Sequence, residues 1–115
     1  MIYFLLAEGQ VSRWHRVRSD EVWQFVEGSP LELIVAKSGE WKFERIRLDS
    51  IENGGRAIRV VPAGRWQAAR PLGGYALVTC TVGPGFEFED FEFLTSRPEE
   101  VERLAERAPE MRGLV

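Results

Sequence analysis

Apolar and polar residues alternate in short runs along most of this chain, at 2–8, 11–18, 21–27, 31–37, 41–48, 57–61, 65–69, 75–83 and 86–94. Short runs of this kind, separated by turn residues, predict β-strands. The breaks have a mechanism: "EGSP" (27–30), "KSGE" (37–40), "ENGG" (52–55) and "PLGG" (71–74) supply glycines for positive φ and prolines that end strand pairing. With no helical pattern between the runs, the spacing predicts an all-β sandwich or barrel rather than βαβ units.

Sorting by period two assigns faces. Glu21, Trp23 and Phe25 share one side of their strand and Val22, Gln24 and Val26 the other. Over 31–36, Leu31, Leu33 and Val35 oppose Glu32, Ile34 and Ala36, so both faces are largely apolar. Such a strand needs a packed interior on one side and a second layer or an interface on the other, which points to a homodimer. "FEFEDFEF" (86–93) shifts phase between Phe88 and Phe91, and a bend at Glu89–Asp90 would keep both aromatic pairs packed.

One stretch reads as a helix, "SRPEEVERLAERAPE". Ser96 with Glu99 makes a capping-box pattern, Pro98 sits in the first turn, and Glu99 and Glu100 suit the positive end of the dipole. Val101, Leu104, Ala105 and Ala108 form a narrow apolar stripe that would dock on the sheet. The expected organisation is a β-barrel domain over 1–94 with a C-terminal helix and tail, 95–115, packed on it.

A chain of 115 residues, 44% hydrophobic and 29% charged, suits a single soluble domain. No apolar run reaches the roughly 20 residues of a membrane helix, and "MIYFLLAEG" lacks the basic region and cleavage site of a signal peptide, so a cytoplasmic location is expected. Cys80 is the single cysteine, which excludes an intrachain disulfide and a multi-thiolate zinc site. A net charge of −3 gives no footprint for nucleic acid. Alternation also splits Arg13 from Arg16 and Arg18, so they form no continuous basic stripe.

The chemistry lies around the single histidine. Gly9, His15, Val17, Glu21 and Gly28 keep the spacing G-x5-H-x-H-x3-E-x6-G, with Val17 at the second histidine. Pro62 and Gly64 in "PAGRWQAARP" fit G-x5-P-x-G-x2-H-x3-N, with Gln67 replacing its histidine, Pro71 its asparagine, and the leading glycine displaced to Gly55. These spacings resemble the two cupin motifs. "WHRVRSDEVW", "PLEL" and "VVPAGRWQAARPLGGYALVTCTVGPGFEFEDFE" resemble more specifically the branch of unknown function called the fifth cupin family, over roughly 2 to 93. Relatives typically carry an N-terminal segment with an H-P-E-G-G-Y-like run and a histidine where Gln24 lies, and this chain departs from both. The resemblance implies a double-stranded β-helix, the cupin jelly roll, with a ligand in its open mouth and here one short C-terminal α-helix.

Metal-binding cupins usually use three histidines and a glutamate. Carried over by position, His15, Glu21 and Gln67 survive, a set that can coordinate a divalent metal only weakly. Metal-independent sugar-nucleotide epimerases of related fold suggest another reading, with His15 as base, Glu21 as its orienter, and Tyr3 or Tyr75 as acid. A third reading is a binding pocket without turnover, built from Tyr3, His15, Glu21, Trp23, Gln67 and Tyr75 around a small polar ligand such as a sugar or nucleotide sugar. Trp14 and Trp66, opposite in phase to His15 and Gln67, are expected in packing, and Cys80 as a buried inert thiol. Binding and catalysis both remain open at this level.

Overall fold

The computed structural model describes residues 1–37, 39–83 and 90–115. The strands are β1 (Ile2–Ala7), β2 (Ser12–Arg16), β3 (Glu21–Gly28), β4 (Leu31–Ala36), β5 (Phe43–Leu48), β6 (Ile58–Val61), β7 (Trp66–Pro71), β8 (Tyr75–Val82) and β9 (Glu92–Phe93). One helix, α1 (Pro98–Arg107), follows. The strands form a four-stranded sheet, β1-β8-β3-β6, and a five-stranded sheet, β5-β4-β7-β2-β9. Every strand pairing is antiparallel, which gives the expected two-sheet jelly roll.

Eight of the expected runs are strands within a residue or two; of the ninth, only 92–93 is a strand among the described residues, and the first half of "FEFEDFEF", with Glu89 of the expected bend at Glu89–Asp90, lies outside them. β5 begins later than its hydrophobic run because Trp41 takes φ +47. That left-handed backbone costs roughly 1–2 kcal/mol for a bulky residue. Burying its indole, which is 2% exposed, gains about 5 kcal/mol from roughly 200 Å² of apolar surface, so burial wins.

Two hydrophobic interiors share the five-stranded sheet. Between the sheets lie Leu6, Trp23, Leu31, Leu33, Val35 and Val78. On the outer side, Trp14, Ile34, Trp66, Leu104, Met111 and Leu114 pack together. The second apolar face of β4 is therefore covered by the chain's own C-terminal segment, so it no longer argues for a homodimer. The stripe of α1 docks as its spacing requires, but the capping box does not form. Arg97 is the N-cap, without a side-chain bond, because Pro98 takes the first helical position. The Ser96 hydroxyl instead donates to the Phe93 carbonyl at 2.8 Å.

Two glycines of the motifs hold backbone that other residues resist. Gly64 has φ +82 and sends its N–H to the Val17 carbonyl at 2.8 Å, tying the two motif segments together. Gly28 has φ +100, and a Cβ there would lie 2.5 Å from the Tyr75 carbonyl oxygen.

Candidate functional site

Consecutive residues of β2 face opposite ways, so Trp14 enters the layer beneath the helix while His15 turns inward. His15 pairs across the sheet with Gln67 of β7. Facing them from the other sheet, Glu21 and Trp23 share the inward side of β3, as period two predicts.

Hydrogen bonds orient this cluster. An indole N–H can only donate, and Trp23 Nε1 reaches Gln67 Oε1 at 2.7 Å. This assigns the Gln67 amide, whose Nε2 donates to Glu21 Oε1 at 2.8 Å. At His15, Nδ1 lies 2.7 Å from the Arg13 carbonyl oxygen, which can only accept. The proton of the neutral ring is thereby assigned to Nδ1, leaving Nε2 as an acceptor. Nε2 lies 3.9 Å from Glu21 Oε1, beyond hydrogen-bond length. Both side chains are nearly buried, at 5% and 7% exposure. Phe91 stacks on the imidazole at 5.2 Å and 17°, covering one face and leaving the nitrogen edge presented.

A cavity of about 280 Å³ opens against this pair. Its walls include Phe4, Trp23, Phe91 and Phe93, with Ser12, Arg13, Glu21 and His15 as polar members. Arg13 sits at the rim with its guanidinium 4.4 Å over the Phe93 ring. Cys80 also lines the cavity; burial first, then the charge of and hydrogen bond to Glu21, push its thiol far above its ordinary range. The thiol stays protonated at neutral pH, as an inert buried cysteine should.

Of the expected site residues, His15, Glu21, Trp23 and Gln67 come together; Tyr3 and Tyr75 do not. Both tyrosines belong to the outward row of the four-stranded sheet, 68% and 40% exposed. Tyr75 donates to Glu27 at 2.8 Å, a bond that raises its pKa along with the Glu27 charge. Neither can therefore serve as an acid across the cavity. The inward residues beside them, Ile2, Phe4 and Cys80, line it instead. Val17, at the second-histidine position, lines a separate groove of about 610 Å³. Arg16 and Arg97 are near that groove too, and both engage Glu92.

The weak metal set does not fit a metal ion as arranged. The Gln67 oxygen is committed to Trp23 and one Glu21 oxygen to Gln67. Among the described residues no group of three His, Cys, Asp or Glu side chains is arranged to hold a metal.

Comparison with known proteins agrees with the fold. A protein from Shewanella oneidensis is similar at 33% identity and a TM-score of 0.79, over 98% of this chain and 69% of that one. A hypothetical protein from Leishmania major is similar at 28% identity and 0.76, over 98% and 71%. A dTDP sugar isomerase from Desulfovibrio desulfuricans shares the fold at 13% identity and 0.68, over 80% and 61%. A search of curated proteins gave no match. No helix among the described residues is long and apolar enough to cross a membrane. Residues 1–94 match the family described as "Cupin superfamily (DUF985)", and with the jelly roll and the motif spacing around His15 the chain belongs to that family.

Proposed function

We propose that the cavity binds a small molecule, with His15 Nε2 accepting a hydrogen bond or a proton from it and Glu21 balancing the charge that develops. The observation that carries this reading is the bond from His15 Nδ1 to the Arg13 carbonyl, which leaves Nε2 as an acceptor with no hydrogen-bond partner among the described residues, at a cavity wall. An acceptor held in one tautomer on a largely buried side chain suits recognition of a donor group. The test is thermal stabilisation of the protein by a panel of small ligands. The expected result is stabilisation that disappears in His15→Ala while the variant still folds. A panel that stabilises wild type and variant alike would refute the reading.

The same nitrogen favours a second reading, a metal-independent isomerase in which His15 removes a carbon-bound proton. Solvent deuterium entering a 4-keto sugar nucleotide would support it, and no exchange across a set of such substrates would count against it. Because the tyrosines face outward, any partner acid must come from elsewhere in the cavity.

We also propose a homodimer formed through the outer face of the four-stranded sheet. Tyr3, Leu5, Ile58 and Val60 are 45–68% exposed there, and Val22, Gln24 and Thr79 between them carry no charge. Light scattering should give twice the monomer mass, falling to one in Leu5→Glu/Val60→Glu. A cytoplasmic setting is consistent with the single buried thiol.

A further inference from the structure

We infer that the ligand of this cavity is a compact hydrophobic molecule, about the size of a substituted aromatic ring, carrying one O–H or N–H donor, and is not a sugar. The inference rests on the cavity being the binding site and goes on to the chemistry that the site selects.

Volume sets the size. An apolar cavity of about 150 Å³ accommodates benzene, and this one measures about 280 Å³. Scaling from the six carbons of benzene gives about eleven non-hydrogen atoms. A nucleotide sugar is several times larger than this volume and would have to extend out through the open mouth of the cavity.

The walls set the polarity. Ile2, Phe4, Val11, Trp23, Phe91 and Phe93 contribute most of the lining, and the aromatic rings among them suit edge or face contacts with another ring. The two acceptors, His15 Nε2 and the Glu21 carboxylate, lie side by side at 3.9 Å, and the small polar groups beside them in the lining are the Ser12 hydroxyl and the Cys80 thiol. The amide that could have donated, Gln67 Nε2, is already spent on Glu21. Arg13 lies at the rim, stacked over Phe93. A sugar brings a hydroxyl on nearly every carbon, each both donor and acceptor. Most of these would be left unpaired against hydrocarbon, and each unpaired buried hydroxyl costs a factor of roughly ten or more in affinity. A single donor on an apolar body can meet the acceptor at His15 Nε2 while Glu21 keeps the bond from Gln67, and buries far fewer polar groups than a sugar does.

Isothermal titration with three probes tests this on the intact protein: 4-propylphenol, 4-propylanisole, which has the same body with the donor methylated, and methyl α-D-glucoside. The expected result is that the phenol binds with a dissociation constant on the order of 1 mM or below. The anisole should bind roughly tenfold more weakly, the cost of one hydrogen bond to a buried acceptor. The glucoside should give no measurable heat. In His15→Ala the phenol should weaken to the level of the anisole, so that discrimination disappears rather than affinity alone. The wild-type comparison needs no variant, so the inference can be tested even if His15→Ala fails to fold. Glucoside binding that needs His15, with no phenol binding, would overturn the ligand class while sparing the cavity as the site. Phenol and anisole binding equally in the wild type would overturn the donor requirement. If none of the three binds, both the ligand class and the cavity reading fall.

Discussion

Replacing Gln67 with glutamate would keep the acceptor for Trp23 and remove the donor to Glu21. The structure gives Nε2 to Oε1 as 2.8 Å, so two carboxylates would meet at that distance. Unit charges so placed repel by about 6 kcal/mol at an effective dielectric of about 20. The folded variant can avoid this by holding one proton between the two carboxyls. From an unfolded glutamate pKa of about 4.3, taking up that proton at pH 7 costs about 3.7 kcal/mol, less than the repulsion, so protonation wins. The shared carboxyl then has a folded pKa above its unfolded value. Its stability is complete below about pH 4.3 and falls as pH rises, by about 1.4 kcal/mol per unit. Gln67→Glu should therefore match the wild type near pH 4 and be about 3.7 kcal/mol less stable at pH 7, as read by urea denaturation. Gln67→Leu leaves Trp23 Nε1 and one Glu21 oxygen unpaired, and should instead be destabilised by about 2–5 kcal/mol even at pH 7 without adding a shared proton. A Gln67→Glu deficit that stays constant from pH 4 to 7 would refute the arrangement of the Trp23, Gln67 and Glu21 chain.

Other variants probe the frame around the cavity. Gly64→Val forces a β-branched side chain into φ +82 and should lower stability by roughly 1–3 kcal/mol, measured as a fall in Tm; an unchanged Tm would contradict the left-handed turn. Leu104→Ala empties a fully buried position under the helix and should cost about 2–5 kcal/mol in the same assay. Burial pushes the Glu92 carboxyl up, but hydrogen bonds from Arg97 and Arg16 outweigh it and hold the group below the usual carboxylate range. A depressed pKa stabilises above the unfolded value and is lost in acid, so Glu92→Gln should be less stable than wild type at pH 7, with the difference closing below about pH 4. Melting curves across that range check it.

The strand positions could be read from the sequence because the runs and their turn residues are regular; period two along β3 put Glu21 and Trp23 on one face, whereas His15 and Gln67 came from the motif spacing, since β2 carries an irregularity between Ser12 and His15. β1 and β8 could not be read the same way. In "IYFLLA" and "YALVTCTV" both phases are largely apolar, so alternation says nothing about which face Tyr3, Tyr75 or Cys80 occupies. The two-faced β4 was ambiguous for a related reason, since a partner molecule and the chain's own helix bury an apolar face equally well. The capping box misled because Ser96 had a competing acceptor in the Phe93 carbonyl, and local hydroxyl bonds of that kind leave no mark in residue spacing.

Trp14 and His15 are neighbours in sequence yet belong to different hydrophobic layers. The floor under the helix and the wall of the cavity are thus opposite surfaces of one rigid plank. Side chains such as Leu104 that never meet a ligand could still retune its affinity by tilting that plank, and substitutions beneath the helix become a handle on recognition that leaves the recognition groups untouched.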